Sequence, residues 1–474
     1  MSAPWRLGAV ALAGEIAAGR LTAVAAVEAV LAQIAAREEA VNAFACVDAE
    51  GALAAAARAD AAEGPRGVLH GVPFTVKDLL VTAGMETAFG SHAFAGRVPS
   101  ADAEAVARMR RAGAILIGKT TTPEFGHKVL TDSPRHGITR NPWGLERSPG
   151  GSSGGAAVAV AMGFGPLAVS TDGAGSGRIP ASCCGIVGLK PTHGRVPHET
   201  HTDLFSGLTC IGAMGRSVAD VDLMFGVMAG SHPGDPWSQV GHAVPELPAD
   251  PVAALGGVRL RWLARMGNDW LDPEVEAACV GLLERLAGAG AVLDRRPAEI
   301  DWGLASGRRL MRAYQAGRFG PLLAEWEDRL DPGVVAGIRE GQALSLADLT
   351  AAQADRSRVY RDVQGLLEGG TILATPVVAT PTLAVGQQAE APLVAGGVER
   401  GPLRAAWYPY TIPFNLTGHP ALSVPCGVSS DGLPIGLQLV GPWHSEGRLL
   451  AIAAAVEALA PWAGRWPAGE GGAC

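Results

Sequence analysis

Serine acts as a nucleophile only where a base can take its proton and nearby donors can receive the oxyanion that develops. Residues 149–191 hold serines in surroundings of that kind: PGGSSGGAAVAVAMGFGPLAVSTDGAGSGRIPASCCGIVGLKP. Ser152 lies in Gly150-Gly151-Ser152-Ser153-Gly154-Gly155, just before an alanine-valine run. Ser176 lies in Asp172-Gly173-Ala174-Gly175-Ser176-Gly177-Arg178, just after a short apolar run. Glycines at this density let N–H groups turn inward and approach a ligand closely. The N–H groups of Gly173, Ala174, Gly175 and Ser176 can converge as an oxyanion hole, so Ser176 has the better surroundings for a nucleophile. Neither cluster contains a histidine. Lys77 is then the natural candidate for the base, acting through a second hydroxyl.

Other readings of these residues are weaker. Gly-Gly-Ser-Ser-Gly formally fits the G-x-S-x-G elbow of a Ser-His-Asp esterase built on Ser152, but that elbow needs a strand just upstream. Residues 141–149, NPWGLERSP, do not supply one, and no HGGG-type loop is present. Ser152 as a helix cap remains physically sound. Residues 113–120, GAILIGKT, fit the phosphate-loop pattern. There, however, the variable positions read as a strand rather than a glycine-rich loop, and Pro123 follows in place of a helix start. His198-Glu199-Thr200-His201 spaces its histidines i, i+3 where zinc on a helix needs i, i+4, so a surface loop is expected and no metal site.

Composition narrows the class. The 474 residues are 48% hydrophobic and 18% charged, which suits a large buried core and excludes a disordered chain. A net charge of −8 without a basic block argues against a nucleic-acid requirement. Seven cysteines, an odd number without repeated spacing, fit a reducing compartment. The amino-terminal residues lack a basic leader, and charges break the apolar runs, so a cytoplasmic protein without a membrane span is expected. Among 38 basic residues only four are lysines, Lys77, Lys119, Lys128 and Lys190, all in or near the glycine-serine segment. Lysine kept where arginine is otherwise preferred points to places that need a compact or deprotonatable amine.

The elements that must position these groups follow from periodicity. Residues 10–62 read as helices, one with Val27, Val30, Leu31 and Ile34 as a buried stripe. Residues 67–78 read as a strand that delivers Lys77 at its end, 104–112 as a helix and 114–117 as a strand. Residues 156–163 read as a helix and 166–171 as a buried strand. Beyond a Pro/Gly-rich connection at 231–257, strands are expected at 258–263, 291–294 and 371–376, and helices at 273–288, 304–341 and 346–367. Residues 383–400 read as a mobile loop, 413–441 as strands with turns, and 444–459 as a closing helix. The mixture indicates α/β layers.

With these motifs in place, the chain resembles the amidase signature family. GGSSGG, TDGAGSGRIPASCCGIVGLKPT and HGVPFTVKD carry the likeness, with GKTTTPEFG, TRNPW, GRVP and FNLTGHPALSVPCG…GLPIGLQLVG extending it. The likeness is weakest at 240–370. It implies a single α/β/α domain over 1–474 with a large mixed central sheet flanked by helices. Within it, 1–65 would be N-terminal helices, 66–240 the signature core, 241–400 a helix-rich substrate region and 401–474 a return to the core. It also implies a Ser-cisSer-Lys triad, with Ser176 as nucleophile, Ser152 as cis-serine relay, Lys77 as base and Gly173–Ser176 as oxyanion hole. Ser153, Thr171, Asp172 and Arg178 become supporting or substrate-binding candidates, Arg178 toward an acidic substrate group. Ala174 stands where glycine is common and Gly177 where isoleucine is; a left-handed backbone at Ala174 would be strained.

The activity implied is hydrolysis of a small-molecule amide through a serine acyl-enzyme, with no cofactor, metal, nucleic acid or membrane, in a possible homodimer. A second class with the same fold and triad is the A-type glutaminase component of a tRNA-dependent amidotransferase. Substrate choice is expected to lie in 304–367, 383–400 and Trp407-Tyr408-Pro409-Tyr410, whose aromatic rings suit an aryl substituent or simple packing.

Overall fold

Alternation along the strand Pro73–Lys77 sorts its side chains between two environments. Phe74 and Val76 enter one apolar core. Thr75 and Lys77 face the other side of the sheet, and all are buried. The computed structural model describes residues 3–64, 66–205, 207–239 and 246–467. Among these, one eleven-stranded mixed sheet organises the chain. Its strands are β1 Phe44–Val47, β2 Pro73–Lys77, β3 Ile115–Thr120, β4 Leu167–Asp172, β5 Val187–Lys190, β6 Cys210–Gly215, β7 Arg259–Trp262, β8 Val292–Asp294, β9 Ile372–Pro376, β10 Ala421–Val428 and β11 Pro434–Val440. They lie in the order β1-β3-β2-β4-β6-β5-β10-β11-β9-β7-β8. The β2 strand runs parallel to both β3 and β4, while β6, β5, β10 and β11 continue antiparallel.

Helices cover both faces, as the α/β/α expectation requires. One core joins Phe74, Val76, Leu167 and Val169 to the helices Val218–Met228, Pro273–Gly288 and Glu446–Leu459. The other joins Ile115, Ile117 and Ala168 to Ala23–Val41, Ala49–Ala61 and Gly154–Ala161. The Gly154–Ala161 helix is buried on every side, and its sequence GGAAVAVA contains only small or apolar residues. The first turn has no room for more: a Cβ at Gly155 would stand 2.5 Å from the carbonyl oxygen of Ala43 and 2.6 Å from the nitrogen of Thr121.

Arg178, at the start of the helix Arg178–Cys184, ties four parts of the chain together. Its Nε and Nη2 donate to the two carboxylate oxygens of Asp172 at 2.8 and 2.9 Å. Nη1 donates to Gln438 on β11 at 2.6 Å and to the carbonyl of Thr411 at 3.1 Å, and Nη2 also donates to Asn415 at 2.6 Å. Burial alone would oppose ionisation of Asp172, but the guanidinium beside it holds the carboxyl far below its ordinary range.

Several local expectations need correction. The 10–62 region contains β1 between its second and third helices, because Asn42 ends the second helix in the left-handed conformation (φ 52°) and turns Phe44 into the sheet. The strand expected at 67–78 begins only at Pro73. Residues 304–341 form the helices Leu304–Phe319 and Pro332–Gln342 with shorter turns between, since Pro321 and Pro332 cannot continue a helix. Within 383–400, the loop expectation gives way to an antiparallel hairpin that pairs Pro392–Ala395 with Val398–Pro402. In the connection 231–257, residues 240–245 lie outside the described residues, as do Pro65 and the boundary at 240. The described part holds the short turns Pro236–Ser238 and Ala253–Leu255.

Removing one member of a buried ion pair strands the other. We expect Arg178→Met to destabilise the protein by about 3–5 kcal/mol, read as a lower urea midpoint. Arg178→Lys should recover little, because an ammonium cannot make the forked contact. Asp172 has a depressed carboxyl pKa, so its contribution is present above the unfolded value of about 3.9 and is lost as pH falls toward the folded one. The stability gap between wild type and Arg178→Met should therefore be full at neutral pH and narrow as acid protonates the unpaired Asp172 of the variant while the wild-type carboxylate stays ionised. A gap unchanged down to the acid transition would contradict this assignment.

Candidate active site

The C-terminal ends of β2 and β4 lie side by side, and each delivers a polar side chain to the same point. Lys77 ends β2 and Thr171 sits near the end of β4, with Lys77 Nζ 3.0 Å from Thr171 Oγ1. Ser152 and Ser153 precede the buried Gly154–Ala161 helix and approach from above the strand ends. Lys77 Nζ lies 2.7 Å from Ser152 Oγ and 2.8 Å from Ser153 Oγ. The Gly151–Ser152 peptide is cis. The N–H of Ser153 donates to the carbonyl of Ser176 at 3.1 Å, which ties the two glycine-serine clusters together.

Lys77 is fully buried, and burial pushes its amine well below the ordinary lysine range; Asp172 pulls only partly the other way. A neutral amine has two hydrogens to donate and one lone pair. Ser153 Oγ already donates to the carbonyl of Thr171 at 3.1 Å, so it faces Nζ as an acceptor. With the amine neutral, the hydroxyls of Ser152 and Thr171 are the two that can donate to the nitrogen, Ser152 at the shorter distance.

Ser152, Thr171, Gly173, Ala174 and Ser176 line a cavity of about 390 Å³. The Leu304–Phe319 helix supplies another part of its wall through Met311, Tyr314 and Arg318, at helical spacing on one face. Tyr408 also lines it, so one ring of the expected aromatic cluster reaches the cavity. The others are fixed by structural contacts: Trp407 Nε1 donates to Thr380, and Tyr410 hydroxyl donates to Ala264.

The oxyanion-hole expectation changes in one respect. The N–H of Gly175 donates to Asp172 at 2.7 Å, which leaves those of Gly173, Ala174 and Ser176. The left-handed position in this loop is Gly175 (φ 112°), not Ala174, so the alanine carries no such strain. Arg178 does not reach the cavity: it is completely buried and engaged by Asp172, Thr411, Asn415 and Gln438, so the expected contact with an acidic substrate group is not made.

Lys119 and Lys190 are also fully buried, and both donate to backbone carbonyls, of Leu80 and Pro191. Lys128 lines the cavity and bridges Asp132 and Asp331 at 2.5 and 2.7 Å. Among the described residues, Lys77 alone of the four lysines bonds to Ser152. His198 and His201 lie in a half-buried loop rather than on the surface, with His201 stacked on Tyr314 at 5.1 Å. No metal-binding group of three His, Cys, Asp or Glu occurs among the described residues. Tyr314, Arg318 and Phe125 were not picked out from sequence; the 311/314/318 spacing on a helix was the only available sign.

The geometry has counterparts among known proteins. A family model described as Amidase matches residues 25–450. An acylamidase of Rhodococcus erythropolis is 35% identical over 469 residues, covering 98% of this chain and 97% of that protein. The A-type component of the glutamyl-tRNA(Gln) amidotransferase of Roseiflexus sp. is 37% identical, covering 95% of each. The crystal structure of a bacterial aryl acylamidase of the amidase signature enzymes superimposes with a TM-score of 0.87 at 26% identity, covering 97% of this chain and 99% of that one. Likeness on this scale, over nearly the full length, means that the chain belongs to the amidase signature family and is an amide hydrolase.

Proposed function

We propose that the protein is a free-standing acylamidase over 1–474 in which Ser176 is the nucleophile, Ser152 the relay and Lys77 the base. The observation that carries this reading is a fully buried amine, its pKa lowered by burial, set 2.7 Å from a serine hydroxyl on the cavity wall. Ser176 Oγ attacks the amide carbonyl and passes its proton to Ser152 Oγ, whose own proton moves to Lys77 Nζ. The carbonyl oxygen, now negative, is received by the free N–H groups of Gly173, Ala174 and Ser176. The proton then returns along the same path to the leaving nitrogen, the C–N bond breaks, and the amine departs from a serine ester. Water repeats the sequence to release the carboxylate and restore Ser176. Asp172 holds the loop through Gly175, Gly177 and Arg178, and Ser153 and Thr171 orient the amine.

The second reading is the A-type component of an amidotransferase, favoured by the Roseiflexus relative. The discriminating experiment is direct. The purified chain should hydrolyse simple anilides unaided, whereas a component dependent on partner chains would release ammonia from glutamine only in their presence.

Ser176→Ala should lower kcat by at least about 10⁴-fold and abolish acyl-enzyme detected by mass spectrometry. Lys77→Ala should cost about 10³–10⁴-fold, and Lys77→Arg should not rescue it, because a guanidinium stays protonated. An arginine variant that retained turnover would remove the neutral-amine role.

The pH dependence has a defined sign. Lys77 is active without its proton and has a lowered pKa, so kcat/KM should rise from acid and level off well below the ordinary lysine value of about 10.4. Activity that climbs only near that value would show an amine unaffected by burial.

A further inference from the structure

A second chamber of about 140 Å³ adjoins the cavity and shares Thr171, Thr209, Tyr314 and Arg318 with it. Its described lining includes Arg97, Arg318, His198 and His201 but neither aspartate nor glutamate. Arg318 is the central charge. Its guanidinium carbon lies 5.0 Å from the ring of Phe319, 5.7 Å from that of Phe89 and 5.8 Å from that of Tyr314. Nη1 donates to the Tyr314 hydroxyl at 2.5 Å. Among the described residues no carboxylate lies within ion-pair distance of it. Asp203, the one carboxylate lining the larger cavity among the described residues, accepts from the N–H of Phe205 at 3.1 Å.

A half-buried guanidinium against aromatic rings and without a carboxylate partner keeps a planar fork that matches a carboxylate. Burial, with Arg318 adding repulsion, pushes the imidazoles of His198 and His201 below their ordinary range, and Nδ1 of His198 is buried without a partner. The larger cavity, which also holds Ser176, is lined in part by apolar side chains such as Leu208, Leu310 and Met311.

Resting on the amidase reading above, we propose that this chamber is a carboxylate subsite. The preferred substrates are amides that carry a free carboxylate separated from the scissile bond by an apolar spacer, with the carboxylate held by Arg318. Arg318 also stands in the last turn of its helix, where a cation favours the helix end for purely structural reasons. The test must separate the two roles.

The probes are matched anilides: succinyl-, glutaryl- and adipoyl-4-nitroanilide against the butyryl, valeryl and hexanoyl compounds, and 4-acetamidobenzoate against acetanilide. At least one carboxylate member should exceed its neutral partner by about tenfold in kcat/KM, the amount worth about 1.4 kcal/mol. Arg318→Gln should collapse that ratio to near one, chiefly through KM, and Arg318→Lys should keep part of it. A merely structural arginine would lower both members alike and leave the ratio unchanged. The subsite is overturned, with amide hydrolysis intact, if no pair shows the preference or the ratio survives Arg318→Gln. It is equally overturned if the ratio responds instead to Arg404→Gln, the other cavity arginine without a carboxylate partner among the described residues. If no amide is turned over, the function reading fails separately. Calorimetry on Ser176→Ala then decides the subsite: about tenfold tighter binding of the glutaryl than the valeryl anilide supports it, and equal binding overturns it.

Discussion

An amine buried without a carboxylate in contact with it is the constraint around which the rest of the molecule is arranged. In water a lysine side chain is a hydrated cation, and removing that hydration favours the neutral form. The strand that carries Lys77 is flanked by parallel neighbours, covered by a helix of glycine, alanine and valine, and met at its end only by hydroxyls. Hydroxyls can donate or accept, so they accommodate an amine in either protonation state, whereas a carboxylate in contact would hold the proton on nitrogen. The close approach of the helix Gly154–Ala161 therefore sets the position of Ser152 and Ser153 beside the amine. Without Gly155 the helix would be pushed outward, and Ser152 and Ser153 with it.

A carboxylate is nevertheless present nearby, and its treatment follows from the same constraint. Asp172 lies close enough to Lys77 to raise its pKa, which would work against a neutral base. Arg178 donates to both oxygens of that carboxylate, and the backbone N–H groups of Gly175, Gly177 and Arg178 donate further bonds to it. The negative charge is thus balanced where it stands and put to use in shaping the loop that presents Ser176. This explains why Arg178, which looked suited to an acidic substrate, lies wholly outside the cavity. The strength of its bond to Asp172 depends on exclusion of the water that a cavity would admit.

How much of this was legible from residues alone depended on whether the signal was local. The glycine-serine clusters, the strand carrying Lys77 and the helix Pro273–Gly288 have local signatures of turn chemistry and periodicity, and the last was found with its observed bounds. The strand Phe44–Val47 was hidden because four residues between alanine-rich helices have no period of their own; pairing with β3 makes them a strand. The hairpin at 392–402 was hidden similarly, as Gly396 and Gly397 read as a loop until the register joins their flanks. In the site, Gly175 looked like one more oxyanion donor, and only the position of Asp172 shows that its N–H is engaged. Arg318 and Tyr314 gave no signal beyond helical spacing, because a cavity wall from the far part of the chain is a tertiary fact.

The two walls of the cavity differ in what they can tolerate. On one side, Ser152, Thr171, Gly173, Ala174 and Ser176 stand on buried strand ends and loops, and the hydroxyls of Ser152 and Thr171 both meet Lys77 Nζ, so a change in one disturbs the others. On the other, the Leu304–Phe319 helix is half-exposed, and its cavity-facing side chains can vary without breaking the sheet. Groups that must be held in close alignment are better placed on the first wall than on the second. The division also accounts for where family likeness was weakest in the sequence. Residues 240–370 hold the Leu304–Phe319 helix, which lines the cavity without contributing to the central sheet.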